Sequence, residues 1–492
     1  MRFIIGLAIA ICLSQIPATG QPSEKYRPAQ MQADLKQFKH VLEYAHPDIY
    51  AHITPKEFEN FFQKLLAQTE SPKTILEFYN IVLQLIAGIH DGHAQVSPSR
   101  NLFPLMYSNM LPFHSLVQNN KVFVTRNVSG KNIDDGSEIL SINGIPAAKV
   151  IDTILMYYSG DGSCRSCMEY CLGSSYISLY YVFPLVFGID TAYTLEVSDY
   201  KSKSVQTILV PAISYGELRE REIKKYGNNL HTEGMDELLR QKAFSIDFKN
   251  AGLYAYMKIN RFFKEDFEEP ANIYRDFYSD AFNQIESKKA KNLVIDLRGN
   301  GGGIGSNAAY LVQYLTEKSF IPTTRITSMG NDDYYKSITS ESLKLDNYFQ
   351  LKKAGDNKYV VTNSDSILEL REFKPIEKSH FSGKIYVLID GGTVSAAAMA
   401  ASLLKQYTNA VFVGQETGGH AGMSNGIRQL FIRGDSTGMS INIPIFHSEF
   451  SINKFSGKRG VIPDYIVENS IDDIIKGRDA MLEFVVKKIS EK

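Results

Sequence analysis

The chain has 492 residues, 44% of them hydrophobic, which is ample for more than one packed core and suggests roughly two to four domains. Its 53 basic and 54 acidic residues leave a net charge of -1, so composition gives no electrostatic reason to expect nucleic acid or anionic lipid as a partner. Tryptophan is absent, but 28 tyrosines and 28 phenylalanines supply aromatic bulk.

Residues 1–20 read as a secretory signal peptide: one positive charge at Arg2, a short apolar run to Leu13, and a small-residue site at Ala18-Thr-Gly20. The run is too short to span a bilayer, and Ile11 before Cys12 argues against a lipoprotein site. No later segment has membrane-spanning length, so a periplasmic or extracellular location without a membrane span is expected. Residues 21–105 are helical in character, with apolar residues at helical spacing over Met31–Tyr44, Pro55–Leu66 and Thr74–Ala87. After the third helix comes Gly88-Ile-His-Asp-Gly-His93, where an Asp-Gly turn aims His93; His90 beside it is a rival.

From about 106 the pattern changes to short strands, including Lys121–Thr125 and Ser204–Val210. Within this stretch lie Cys164, Cys167 and Cys171. A metal site would need a fourth ligand at standard spacing, one local disulfide with a spare thiol is open, and packing as small hydrophobes is equally open.

From about 245 strands alternate with helices, the pattern of a β/α core with helices against a sheet. The apolar strand Asn292–Leu297 runs into Arg298-Gly-Asn-Gly-Gly-Gly303-Ile-Gly305, whose successive glycines let backbone amides approach a ligand. A dinucleotide loop does not fit, because the third glycine of that spacing falls on Ile304. The strand Lys384–Asp390 then enters Gly391-Gly-Thr-Val-Ser395 before an alanine-rich helix. Ser395 is either an N-cap or a nucleophile displayed over a helix N-terminus. His420, in the glycine-rich Glu416–Gly422, is a further histidine candidate, and the polar stretch Thr324–Phe381 reads as an insertion or lid.

These motifs resemble those of the C-terminal processing (tail-specific) and tricorn-core serine peptidases, peptidase family S41, in the Ser/His branch. Leu297–Gly303 is similar to the Leu-Arg-x-Asn-x-Gly-Gly element, Thr393–Ala397 to the nucleophile turn, and Asp91-Gly-His93 to the Asp-Gly-His of that branch. Val413–Gly419 and Gly460–Asp464 match two further landmarks in order.

The resemblance implies a multidomain α/β protein: an N-terminal helical domain (21–105), a PDZ-like β domain with a helical insertion (106–215), and a crotonase-like (ClpP/crotonase-type) β/α catalytic core (245–492). Asp135–Pro146 resembles the PDZ hairpin. By the same resemblance Ser395 is the nucleophile, His93 the general base, and the backbone N–H groups of Ala396 and of Gly302 or Gly303 are the oxyanion donors.

This chain departs from the family in two places. The slot of the lysine in Ser/Lys relatives holds His420, which stands as an alternative base. The glutamate that orients the histidine in Ser/His relatives is absent from Ser456-Gly-Lys-Arg-Gly460, leaving Glu449 and Asp464 as the nearest acids.

The leading expectation is an exported serine endopeptidase acting on unfolded or C-terminally presented polypeptides, with no metal or cofactor. A weakly active or inactive relative binding peptide or apolar ligands is the alternative. An acyl-thioester enzyme fits poorly with export.

Overall fold

The computed structural model describes residues 25–491 apart from 159, 163, 175–176, 228–241, 264–271, 340–342, 356–357, 363–366 and 454–457. The leader-like residues 1–20 therefore lie outside it.

The centre of the C-terminal half is a six-stranded sheet in the order Phe244–Lys249, Tyr254–Ile259, Asn292–Asp296, Lys384–Ile389, Val411–Gly414, Tyr465–Ile466. Only the first pair is antiparallel; the other strands run parallel. Parallel strands are buried on both faces, which explains their near-continuous apolar runs. Leu293, Ile295, Ile385, Val387 and Ile389 pack against the helices Ile273–Ser287, Gly305–Gln313 and Ala396–Tyr407. The alternate residues Val294, Tyr386 and Leu388 meet Met481, Val485 and Ile489 of the last helix, Ala480–Ser490, on the other face. Every strand-to-helix turn thus opens at the carboxyl ends of the parallel strands, the usual place for a ligand in such sheets.

The helices Pro28–Ala45, Pro55–Ala67 and Ile75–Ala87 form where the apolar spacing placed them, the last two opening on capping boxes at Thr54 and Thr74. They do not close a core of their own. Phe38, Phe58, Phe78 and Leu85 share one cluster with Ile326, Tyr335, Leu430, Ile441 and Phe446, hundreds of residues downstream. The strand Gln95–Ser97, just after His93, pairs with Ser440–Pro444, which pairs in turn with Gln429–Arg433. The His93 loop is therefore fastened to the C-terminal half by both core and sheet.

The stretch Thr324–Phe381, expected as an insertion or lid, is instead integral to a second sheet. Its strands Thr323–Ser328, Leu351–Gly355 and Lys358–Val361 join Phe446–Phe450 and Met423–Ser424. Polar residues misled the reading because these strands bury one face only: Ile326, Val361 and Phe446 point inward while Lys352 and Lys353 are exposed.

The middle region is an antiparallel sheet of Phe113–Gln118, Lys121–Asn127, Glu138–Ile142, Ala192–Ser198 and Val205–Pro211, with Ile145–Pro146 returning on Glu138–Ile142. The Asn143-Gly144 turn, both residues at positive φ (51° and 76°), closes that hairpin before the helix Ala147–Ile154. The following segment carries the helix Arg165–Ser174 over to the central sheet: Ser166 Oγ donates to the Glu416 carbonyl (2.9 Å), and Tyr170 packs on Gly299 and Gly392.

Candidate active site

Two turns at neighbouring strand ends, after Asn292–Asp296 and after Lys384–Ile389, are tied together by Asp390. Its Oδ1 accepts the N–H of Gly299 (2.9 Å) and of Gly392 (3.0 Å). The Thr393 hydroxyl crosses to the Leu297 carbonyl (2.9 Å), and the Val394 N–H to the Asn300 carbonyl (3.1 Å). Arg298 stays out of the cleft. Its guanidinium pairs with Asp479 through two 2.7 Å bonds and with Asp296, whose carboxyl burial raises but the Lys258 and Arg298 charges hold far below the usual range. Arg298 thus latches the turn to the last helix.

Ser395 stands at φ 54°, ψ −125°, a conformation that costs a non-glycine residue roughly 1–3 kcal/mol. Its hydroxyl makes no capping hydrogen bond to the helix behind it. The side chain therefore does not cap the helix, although its backbone is held at a positive φ. The glycine turn closes over it: a Cβ on Gly302 (φ 95°) would lie 2.7 Å from Ser395 Cβ and 2.9 Å from the Ala396 nitrogen.

The sequence left Gly302 and Gly303 as alternatives, and the structure separates them. The Gly302 N–H is consumed by Asn300 Oδ1 (2.9 Å). The N–H groups of Gly303 and Ala396 have no hydrogen-bond partner among the described residues, which leaves them available to an anion. Gly303 itself, at φ 139°, is held by Phe262 on either side: the Phe262 N–H bonds the Gly302 carbonyl (2.8 Å) and the Ile304 N–H bonds the Phe262 carbonyl (3.0 Å).

His93 is presented by Asp91. The Asp91 Oδ1 accepts the backbone N–H of His93 (2.7 Å), while Oδ2 meets Nε2 of the buried His46 (3.0 Å) and takes a 2.6 Å bond from Asn425 Nδ2. Asn425 Oδ1 is in turn bound by His447 Nδ1 (2.9 Å), and Gln429 Nε2 holds the His93 carbonyl (2.9 Å). Burial pushes the Asp91 carboxyl up, but its hydrogen bonds to His46 and His93 hold it well below the usual carboxylate range.

The His93 imidazole is one-fifth exposed, with Nε2 against Gly426 and Nδ1 buried. Nδ1 lies 3.7 Å from Asp91 Oδ1 and 3.8 Å from Asp161 Oδ1. Burial opposes its cation, yet the adjacent Asp91 and Asp161 carboxylates raise its pKa to about 9.

A short chain of contacts leads from His93 towards Ser395. Asp161 accepts the backbone N–H of His420, and the preceding residue, Gly419, packs directly on the Ser395 nitrogen. No hydrogen bond joins Ser395 to His93 among the described residues. Such bonds commonly tighten only when substrate is bound.

The other sequence candidates are not brought to His93. Asp464 is committed to Lys405 Nζ (3.1 Å) and the Phe412 N–H (2.8 Å), bracing the strand Val411–Gly414. Glu449 is exposed on the second sheet, its carbonyl bonded by the Thr324 hydroxyl (3.2 Å). His420 turns its Nδ1 to the Gly422 N–H (2.9 Å), and its ring faces His52 with centroids 6.2 Å apart. His90 is exposed at φ 56°.

Cys164, Cys167 and Cys171 are free thiols, the first two buried where the Arg165–Ser174 helix meets the Glu416–Gly419 loop. Cys164 Sγ donates to the Thr417 carbonyl (3.2 Å), and burial pushes its thiol up to about 11. They pack; among the described residues they are not disulfide-bonded.

Residues 253–467 match the family model of peptidase family S41. The carboxy-terminal-processing protease of Bartonella bacilliformis is 22% identical over 241 residues, covering 49% of this chain and 45% of that protein, so the chain spans about half the length of the curated relative it matches. Among solved structures, mature CPAF is 15% identical, with a TM-score of 0.60 over 94% of this chain and 96% of that one. Its complex with lactacystin is 14% identical, with a TM-score of 0.59 over 94% and 98%. At such identities the likeness shows a shared fold. It extends well beyond residues 253–467, to the helices and the middle sheet that carry His93 and Asp161.

Sequence reasoning missed Asp161, His46 and Asn425. The only signals were a carboxylate framed by glycines in Gly160-Asp161-Gly162 and a turn dipeptide in Asn425-Gly426.

Proposed function

We propose that this protein is a serine peptidase in which Ser395 attacks a peptide carbonyl, His93 carries the proton, and the Gly303 and Ala396 N–H groups hold the oxyanion. The observation that carries the reading is the strained, uncapped Ser395 beside two unpartnered backbone donors. His93 takes the Ser395 proton as the Oγ–carbon bond forms, then returns it to the leaving amine. Water repeats the cycle on the acyl-enzyme. No step calls for a metal or cofactor.

The substrate class we propose is unfolded or C-terminally presented polypeptide, in keeping with the family and with an antiparallel middle sheet that could add a peptide strand along an open edge. Export to a periplasmic or extracellular setting follows from the leader-like pattern of residues 1–20. No helix among the described residues is long and apolar enough to cross a membrane.

The test is casein cleavage by the protein and by Ser395→Ala and His93→Ala variants with unchanged far- and near-ultraviolet circular dichroism. Cleavage lost in both variants supports the assignment. Full activity in either removes that residue from the mechanism.

A further inference from the structure

This chain lacks an acid before Gly460, where the sequence reads Ser456-Gly-Lys-Arg459, so some other group must fix the tautomer and orientation of His93. We propose that Asp161, carried by the segment between the middle sheet and the Arg165–Ser174 helix, is the positioning residue that orients His93 in place of that missing acid. The inference rests on the Ser395/His93 reading and names a further residue for it.

Two carboxylates approach His93 Nδ1 at nearly equal distance, and their surroundings distinguish them. Asp91 is already spent on structure: one oxygen takes the His93 backbone N–H and the other takes His46 and Asn425. Asp161 accepts backbone N–H groups, from Gly92 (2.9 Å) and from His420, and His93 is the charge that most favours its ionised form. Those two N–H bonds come from two different loops. Gly92 belongs to the base loop, and His420 follows the Gly419 that packs on Ser395. One carboxylate thus sets the base and ties its loop to the nucleophile's.

The approach is built for a close fit. A Cβ on Gly92 would meet Asp161 Oδ1 at 3.0 Å, and one on Gly162 (φ 69°) would meet the Lys458 carbonyl at 2.7 Å. Nδ1 of His93 is buried and makes no hydrogen bond among the described residues, and both carboxylates stand within 4.0 Å of it. A shift of under about 1 Å would bring Asp161 Oδ1 into hydrogen-bond range. Asp161 takes no proton during the cycle; it holds the Nδ1–H and stabilises the imidazolium formed when Ser395 attacks.

Other titratable groups lie around the loop. His46 sits beyond Asp91, and His447 reaches it through Asn425. His52, His420, His90 and Lys458 form a neighbouring group, in which burial first and then repulsion from the other three lower His52 to about 4. None of these six supplies a negative charge to Nδ1.

The test is Asp161→Asn, which keeps an acceptor oxygen for the backbone N–H groups but removes the charge. With casein-derived peptide as substrate, kcat at the pH plateau should fall about a hundredfold or more while KM stays within about threefold. The acid limb of kcat/KM should move down by about one pH unit or more, because a carboxylate that favoured the imidazolium is gone. A merely structural role would not move that limb. Asp161→Glu should restore part of the rate.

A second readout needs no turnover: NMR titration of the His93 ring in the Ser395→Ala protein and in its Asp161→Asn derivative. A downward shift of the His93 pKa on losing Asp161 supports the inference. An unchanged pKa overturns it, even if Ser395 and His93 prove essential. Loss of activity in Ser395→Ala and His93→Ala alongside a wild-type kcat and acid limb in Asp161→Asn also overturns it, leaving the dyad standing.

Discussion

The two halves of the site are built in opposite ways. The Ser395 side is local: a buried strand, a turn and a helix within Lys384–Tyr407 present Ser395, and one neighbouring turn carries the second proposed oxyanion donor. The His93 side is assembled from residues 46, 91, 93, 161 and 425, brought together from the N-terminal helices, the segment before the Arg165–Ser174 helix and the loop after Met423–Ser424. Local construction gives rigidity and a readable motif. Long-range construction makes the base depend on how the remainder of the chain packs, and it hides the residues that do the orienting.

The largest effect short of deleting Ser395 or His93 is expected on the local side. Gly303→Ala would place a Cβ 2.5 Å from the Phe262 carbonyl carbon at φ 139° and displace the oxyanion donor. A fall in kcat of about 10²–10³-fold is expected, as when one such donor is lost elsewhere, with KM little changed. Steady-state kinetics checks this, and a near-wild-type kcat would remove Gly303 from the oxyanion hole.

On the long-range side, Asp91→Asn should act on stability before chemistry. It breaks a fully buried cluster with His46 and Asn425, so urea denaturation should show a loss of about 3 kcal/mol. Ser395→Ala, by contrast, should leave stability nearly unchanged, because the hydroxyl it removes makes no capping bond to the helix behind it. A harmless Asp91→Asn would contradict the idea that the base loop is held from afar.

The smallest effect is graded rather than abrupt. His93 acts as a base only when neutral, and its pKa is raised to about 9. Between about pH 6 and 9, kcat/KM should therefore climb about tenfold per unit and level off above, leaving about a hundredth of the plateau at about pH 7. Stability runs the other way. A folded pKa above the unfolded value of about 6.5 contributes stability that is fully present below about pH 6.5 and lost as pH rises through about 9. Melting temperatures that fall over that window in the wild type, and less in His93→Ala, would bear this out.

Much of the local architecture was legible in the sequence. The strands Asn292–Asp296 and Lys384–Ile389, the helix after Ser395 and the three N-terminal helices carry strong periodicity or unbroken apolar runs, and these patterns survive folding because each element buries the face its own spacing defines. Glycine turns were legible for the same reason: φ values of 95° and 139° at Gly302 and Gly303 all but require glycine. The acid partner was not legible. Glu449 and Asp464 were chosen for nearness in sequence, whereas Asp161 reaches His93 across a long separation that no local pattern encodes. The Thr324–Phe381 stretch failed for a related reason, since half-buried strands look polar until their partner strands are known.

One measurement tests the central claim most directly. The purified protein and its Ser395→Ala variant are incubated with a fluorophosphonate probe, and the adduct is located by peptide mass spectrometry. A single adduct on Ser395, absent from the variant and formed faster as the pH rises towards about 9, is the predicted result. Labelling that persists in the variant, or folded wild-type protein that takes up no probe at any pH between about 7 and 10, would contradict the account.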